Sequence, residues 1–186
     1  MGMAQSVIRW TADLLESLPD DGNRYEVIDG ELFVTPAPSE LHQDVVVELL
    51  VLLREYTRSI GLKTLTAPFA VKFSNAREVQ PDLLVVPARF DDKKRPFGER
   101  GELFLVVEVL SRTTSWRDRG IKRQVYQEQG VPEYWMIDCR ERTLVRWRTR
   151  GTEYEVFTDT LSWQPVAGAA PLTIDLAALF RAVHGE

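Results

Sequence analysis

Two acidic residues stand in stretches of the sequence that otherwise look like buried strands. Glu108 interrupts the apolar run Leu103 to Leu110, which is typical of a central strand covered on both faces. Asp82 stands at the mouth of a shorter apolar run, 83–87. A buried carboxylate is costly unless it is paired or holds a metal ion. Asp82 and Glu108 are therefore the first candidates for chemistry.

These two carboxylates suit a hard divalent cation. If their strands are adjacent, both side chains reach one point at the edge of the sheet, where Mg²⁺ or Mn²⁺ prefers oxygen ligands. Such an ion polarises a phosphate oxygen and lowers the pKa of a bound water molecule. The pattern thus indicates phosphodiester hydrolysis.

The helix that follows Glu108 offers a cation for the same chemistry. Asp118, Lys122 and Tyr126 are spaced i, i+4, i+8 and lie along one helix face. Lys122 would steady the attacking water or the charge of the transition state. The alternative is an ordinary ion pair between Asp118 and Lys122. Tyr126 is expected to pack in the interior with its hydroxyl near the site.

Local signals predict the elements that must position these side chains. Asp29-Gly30 is typical of a type I′ hairpin turn, and Ser39 is a typical helix N-cap. The predicted helices are 12–17 (capped by Thr11), 40–59, 116–129 (capped by Thr113 or Ser115) and 172–183. The predicted strands are 25–28, 31–35, 64–73, 81–87, 103–110, 133–138, 144–148 and 154–158, with loops at 74–80 and 89–102.

The crossover helix between Leu110 and Glu133 requires the two flanking strands to be parallel. We therefore predict an α/β fold with a mixed central β-sheet, helices on both faces and an additional N-terminal hairpin. Because the chain shows no repeat or linker, we treat residues 1–186 as one domain.

Composition narrows the functional classes. The formal net charge of -5 argues against a protein coated in positive charge for non-specific nucleic-acid binding, although a local basic groove remains compatible with it. The single cysteine, Cys139, excludes an internal disulfide and fits a reducing cytoplasm. With two histidines and one cysteine, a structural zinc site is not expected. No apolar run is long enough to span a membrane, so we expect a soluble, cytoplasmic protein.

Several motifs together resemble one known family. Pro81-Asp82, the E-V-L-S of 108–111, the D-x-x-x-K-x-x-x-Y helix and the V-P-E-Y-W-M-I-D of 131–138 are similar to the Uma-type endonucleases. That family lies within the PD-(D/E)XK nuclease superfamily. The Y-E-V-I-D-G-E-L of 25–32 and a helix that opens with His42 extend the resemblance to most of the chain.

The resemblance implies a restriction-endonuclease-like core and assigns roles to residues. Asp82 and Glu108 would bind Mg²⁺ or Mn²⁺, and Lys122 would assist. The superfamily pattern has lysine two residues after the glutamate, where this chain has Leu110, so the lysine has moved to the helix. Glu26 is a further candidate acid, and Glu48, on the edge of the apolar face of the helix 40–59, is a weaker choice. His42 is more often a cap or border residue than a ligand.

The resemblance also implies DNA as the substrate and a homodimer as the assembly. Basic residues that could line a groove fall in three clusters, although a solvated surface explains them as well. They are Arg112, Arg117, Arg119, Lys122 and Arg123; Lys93, Lys94, Arg95 and Arg100; and Arg140, Arg142, Arg146, Arg148 and Arg150. The leading hypothesis is a metal-dependent DNA endonuclease. The alternative is a non-catalytic DNA-binding or regulatory module that keeps the nuclease fold.

Overall fold

A six-stranded mixed sheet forms the centre of the protein. The computed structural model describes residues 9–89, 103–110, 118–149, 151 and 153–186, without the side chains of residues 118 and 119. The helices are α1 (Ala12–Leu15), α2 (Glu40–Ser59), α3 (Arg123–Glu128), preceded by a π-helical turn (Asp118–Lys122), and α4 (Leu176–His184). The strands are β1 (Arg24–Ile28), β2 (Glu31–Thr35), β3 (Leu62–Thr66), β4 (Val71–Ser74), β5 (Arg77–Val79), β6 (Leu83–Pro87), β7 (Leu105–Val109), β8 (Glu133–Asp138), β9 (Thr143–Arg148), β10 (Tyr154–Phe157), β11 (Thr160–Trp163) and β12 (Leu172–Asp175).

The central sheet has the order β10-β9-β8-β7-β6-β3, and β7 and β8 form its parallel pair. The predicted crossover is therefore confirmed. β6 and β7 are antiparallel neighbours, with Leu83 opposite Val107. One step further along this register brings Asp82 opposite Glu108. The adjacency on which the sequence argument depended is thus present.

One face of the central sheet packs against α2 and α4. Val45, Leu49 and Leu53 of α2 and Phe180 of α4 are buried there. The strands contribute alternate residues to this core, which include Leu83, Val85, Leu105, Val107, Trp135 and Ile137. Because strand side chains alternate between faces, this first core leaves the even-numbered residues of β6 and β7 for the opposite side.

The opposite face is covered by α3 and by a second, antiparallel sheet of order β2-β1-β5-β4. Val106 and Met136 of the central sheet meet Val125 and Tyr126 of α3 and Ile28 of β1. Glu108 lies two residues after Val106 on β7, so both side chains point to the same face of the sheet. It therefore faces the side on which α3 and β1 lie. The predicted N-terminal hairpin is part of this second sheet.

The elements that were predicted best are those with strong signals in the local sequence. The Ser39 hydroxyl accepts a hydrogen bond from the His42 backbone N–H, and α2 ends at the predicted Ser59. Asp29 and Gly30 both have positive φ, 53° and 89°, as a type I′ turn requires. The mixed sheet with helices on both faces is confirmed.

Three predicted boundaries are wrong. The stretch 64–73 is two strands, β3 and β4, which belong to different sheets and are separated at a cis Ala67–Pro68 bond. The predicted loop 74–80 contains β5. The predicted tail helix begins as β12, pairs with the unpredicted β11, and becomes helical at Leu176. In each case tertiary pairing decided the structure where local periodicity was ambiguous.

Some predictions lie outside the described residues. They are the loop after Arg89, the Thr113 or Ser115 cap, the helix residues 116–117, and the basic residues Lys93, Lys94, Arg95, Arg100, Arg112, Arg117 and Arg150.

Candidate active site

Asp82 lies just before β6 and is held on both of its oxygens. Oδ1 accepts a hydrogen bond from Arg24 Nη1 at 2.9 Å. Oδ2 accepts from the Val109 backbone N–H at 2.8 Å and lies 3.2 Å from His42 Nε2. Burial alone would raise the pKa of this carboxyl, but the His42 hydrogen bond and the Arg24 charge outweigh it and lower the pKa to about 2.

Arg24 begins β1 and reaches across the two sheets. Its Nη1 also donates to the Gln80 carbonyl at 3.1 Å, which fixes the guanidinium beside the turn before β6. Burial acts to lower the pKa of Arg24, but the charges of Glu26, Asp82 and Glu108 raise it above its ordinary value. Arg24 therefore pairs directly with Asp82 and lies within the electrostatic influence of two further acids.

Glu108, on β7, is almost fully buried and is held by the helix that follows. Its Oε1 accepts a hydrogen bond from Lys122 Nζ at 2.9 Å and another from the Tyr126 hydroxyl at 2.8 Å. Lys122 is the last residue of the π-helical turn and Tyr126 lies one turn into α3. Burial and then the charges of Glu108 and Glu26 raise the pKa of Tyr126 well above its usual range, so this hydroxyl remains a donor.

Glu26 completes the cluster from β1. Its Oε1 lies 2.8 Å from Lys122 Nζ and accepts the Gln80 backbone N–H at 2.7 Å. Lys122 is 3 % exposed and lies between two buried carboxylates, within ion-pair distance of both. The buried cluster thus joins β1, β7 and the α3 region.

An open cleft of about 660 Å³ borders this cluster. Arg24, His42 and Asp82 lie on its wall, together with the backbone of Val109 and the exposed Arg140. The cleft is bounded by the β2–α2 connection on one side and by the cis-Pro68 turn on the other. Asp82 is therefore the acid of the cluster that borders the cleft.

The structure brings together all five predicted candidates, Asp82, Glu108, Lys122, Glu26 and Tyr126. It also adds two residues. Arg24 was missed because a single arginine at the start of a strand carries no local signal. His42 was weighed mainly as a cap or border residue, yet it is buried and contacts Asp82. Its position three residues before Val45, on the buried face of α2, was the signal that could have identified it.

Other residues considered from the sequence lie elsewhere. Glu48 is exposed on α2, so it is not part of the cluster. His184 ends α4, and its ring contacts the Cys139 carbonyl at 3.0 Å. Burial, with a smaller contribution from Asp138, raises the pKa of the Cys139 thiol to about 11, in keeping with an unreactive cysteine.

Most of the described basic residues after β8 are engaged in ion pairs. Arg142 pairs with Glu186, and Arg146 and Arg148 both reach Glu155. Lys122 is an interior cation and does not belong to a basic surface. Among these described residues, the basic side chains therefore lie mainly in surface ion pairs, and Arg140 lies at the cleft.

The chemistry of the donors fits a divalent cation. Among the described residues, no group of three or more His, Cys, Asp or Glu side chains converges as a metal site. Mg²⁺, however, is commonly held by one or two carboxylates and completed by water and substrate phosphate. Three of about four lone-pair positions on Asp82 are occupied by Arg24, His42 and the Val109 N–H, so one remains for a cation.

The architecture and the cluster together define a restriction-endonuclease-like class: a mixed sheet, a strand–helix–strand unit that carries the acid and the lysine, and a second acid on the adjacent strand. The model of the Uma2 family, described as "Putative restriction endonuclease", matches residues 12–176. The chain belongs to this family, and the family and fold together support a nuclease.

A solved structure shows the same fold. The crystal structure described as a "putative nuclease belonging to DUF820", from Anabaena variabilis ATCC 29413, superposes with a TM-score of 0.75 at 19 % sequence identity. The match covers 93 % of this chain and 98 % of that chain. No curated protein matches this sequence. Over the described residues, no helix is both long and apolar enough to cross a membrane.

Proposed function

We propose that this protein is a Mg²⁺- or Mn²⁺-dependent endonuclease that hydrolyses phosphodiester bonds of DNA. Three observations carry the proposal together: Asp82 and Glu108 lie at opposed positions of neighbouring strands, Lys122 contacts Glu108, and Asp82 borders a large cleft. Buried acids at the edge of a cleft are expensive for stability, and such groups concentrate at functional sites.

In this proposal Asp82 and Glu108 hold the cation. The ion supplies charge neutralisation at a phosphate oxygen and a more acidic bound water molecule. Lys122 fixes Glu108 and Glu26 in place and contributes positive charge next to the reacting group. Tyr126 fixes Glu108 through its hydroxyl, and Glu26 fixes Lys122. The rigidity of this cluster holds the acids for reaction without further rearrangement.

DNA is the proposed substrate because the matching family is described as a putative restriction endonuclease and an open cleft of about 660 Å³ borders Asp82. Arg24 and Arg140 offer positive charge on the cleft wall. By analogy with nucleases of this fold that cut two strands, we propose a homodimer. A reducing compartment such as the cytoplasm is consistent with the single, buried Cys139.

Calorimetric titration with Mn²⁺ tests the metal site. The wild type should bind Mn²⁺ saturably, and the double variant Asp82→Asn, Glu108→Gln should lose that binding because both anionic ligands are gone. Glu48→Gln removes an exposed acid outside the cluster and is the matched control. Folding of each variant is checked by circular dichroism.

A second candidate function is a non-catalytic DNA-binding module that keeps the nuclease fold. The observation in its favour is that Asp82 and Glu108 are each paired with an internal cation, Arg24 and Lys122. Each of the two proposed metal ligands thus has a cationic partner without any added ion. Absence of saturable Mn²⁺ binding at millimolar concentration, together with retained DNA binding, would favour this candidate over the enzyme.

A further inference from the structure

Two buried polar atoms next to Asp82 have no hydrogen-bond partner among the described residues. They are Arg24 Nε and His42 Nδ1. His42 is 6 % exposed, and the Arg24 side chain is 19 % exposed. A buried polar group without a partner is unfavourable, so each of these two atoms calls for an explanation.

Both residues are fixed by the same carboxylate. Arg24 holds Asp82 Oδ1 through Nη1, and His42 lies against Oδ2 through Nε2. Arg24 is fixed further by the Gln80 carbonyl, and Gln80 is itself held by Glu26. Both residues also line the 660 Å³ cleft. The two unpartnered atoms therefore belong to side chains that are already positioned at the edge of the cleft.

The two atoms have different hydrogen-bonding requirements. Arg24 Nε carries a hydrogen and can only donate. Both Asp82 oxygens already accept hydrogen bonds, from Arg24 Nη1 and from the Val109 N–H, so the carboxylate is an acceptor towards His42 as well. Nε2 of His42 therefore carries the hydrogen of that contact, which leaves Nδ1 as the ring atom without a partner among the described residues.

We propose that Arg24 and His42 form a phosphate subsite in the cleft. Arg24 Nε donates to a non-bridging oxygen of a backbone phosphate, and His42 Nδ1 accepts a hydrogen bond from a water molecule bound to that phosphate. A hydrated phosphodiester offers one acceptor and one donor in close proximity, which satisfies both atoms. The identity of this ligand rests on the proposed function, whereas the requirements of the two atoms do not.

Charge decides how strong this subsite is. Glu26, Asp82 and Glu108 against Arg24 and Lys122 leave the cluster with one excess negative charge when His42 is neutral. Arg24 therefore contributes a directed, charge-assisted hydrogen bond and little general attraction. Loss of that one bond is expected to weaken binding about tenfold.

The test uses a fluorescein-labelled 12-base-pair DNA duplex and the full-length protein in EDTA, so that neither metal binding nor cleavage enters. Arg24→Lys keeps the charge beside Asp82 but has no Nε donor, and its dissociation constant should rise about tenfold by fluorescence anisotropy. Arg58→Lys, an exposed change on α2, is the control and should bind as the wild type does. Equal affinity for Arg24→Lys and wild type would overturn the proposal.

The His42 half is tested by ¹⁵N NMR of the imidazole rings. The chain has two histidines, and His184→Gln assigns the signals of His42. The expected spectrum shows the tautomer with hydrogen on Nε2, and the Nδ1 resonance shifts when the duplex is added. Hydrogen on Nδ1, or an unchanged Nδ1 resonance at saturating DNA, would overturn this half.

These outcomes separate from those of the proposed function. If the protein binds no Mn²⁺ but Arg24→Lys weakens DNA binding, the phosphate subsite is supported and the metal-dependent enzyme is contradicted. If the protein binds Mn²⁺ and cuts DNA but Arg24→Lys binds the duplex as tightly as the wild type, the enzyme is supported and the phosphate subsite is contradicted.

Discussion

The acidic cluster has two halves that differ in how completely the protein satisfies them. Glu108, Glu26 and Lys122 form a closed half, where two carboxylates share one ammonium deep in the interior. Asp82, Arg24 and His42 form an open half on the cleft wall, where two buried polar atoms have no partner within the described part of the chain. The closed half resembles a structural ion-pair network. The open half resembles a site that is completed by a ligand.

The difference follows from where each half lies in the fold. Glu108 lies one residue before the end of β7, and its side chain points toward α3, whose Tyr126, together with Lys122, binds it. Asp82 lies at the end of β6, where the central sheet stops and the cis-Pro68 turn and the β2–α2 connection leave a cleft. Glu108 is thus enclosed by its hydrogen-bond partners, whereas Asp82 borders the cleft.

The largest expected effect is on the closed half. Lys122→Ala leaves Glu26 and Glu108 buried without their shared cation, and we expect the free energy of unfolding to fall by about 3–5 kcal/mol. Urea denaturation measures this change, with Arg58→Ala on the exposed face of α2 as control. A loss no larger than that of the control would show that the closed half is not an integral ion-pair network.

Lowering the pH should reduce the stability that the open half contributes to the fold. The pKa of Asp82 is lowered from its ordinary 3.8 to about 2 in the folded protein. A lowered pKa means that the ionised carboxylate stabilises the fold above about pH 4, and that this stability is lost as the pH falls through about 2. The contribution is on the order of 2 kcal/mol. Stability measured from pH 5 to pH 2 should fall less steeply for Asp82→Asn than for the wild type, and parallel curves would contradict the assignment.

Tyr126→Phe removes one hydrogen bond to Glu108 and leaves the Lys122 contact. We expect a loss of about 1.5–3 kcal/mol in the free energy of unfolding, as for a bond to a charged group. Tyr154→Phe, on a largely exposed ring, is the matched control. If the two variants are equally stable, the Tyr126 hydroxyl does not hold Glu108.

The smallest effect is expected at the surface. Arg142→Ala breaks an exposed pair with Glu186 and should leave both thermal stability and Mn²⁺ binding unchanged within measurement error. A clear loss of Mn²⁺ affinity in this variant would show that charge outside the two halves contributes to the site.

Much of the fold could be predicted because its signals are local. The Ser39 cap and the apolar spacing of α2 lie within one segment, as do the Asp29-Gly30 turn and the unbroken run of β7. The errors arose where pairing between segments decides the outcome. Local periodicity could not show that 64–73 crosses from one sheet to another, or that β12 pairs with β11 before α4 begins.

The same limit applies to the site. Glu108 was predictable because a charge in an apolar strand is locally anomalous, and Lys122 followed from helix spacing and the family resemblance. Arg24 was not, because its contact with Asp82 spans 58 positions and depends on β1 reaching the turn before β6. His42 shows an intermediate case, since its helical face was visible in the sequence but its partner was not.

Cleavage of supercoiled plasmid DNA in Mn²⁺ tests the central claim most directly. The wild type should convert the plasmid to nicked or linear forms, and EDTA should stop the reaction. Glu108→Gln keeps the size and the Tyr126 partner of the side chain but removes its charge, so its rate should fall at least a hundredfold, while Tyr154→Phe keeps the wild-type rate. Cleavage by Glu108→Gln at the wild-type rate, or no cleavage by the wild type, would contradict the assignment of this cluster as a metal-dependent nuclease site.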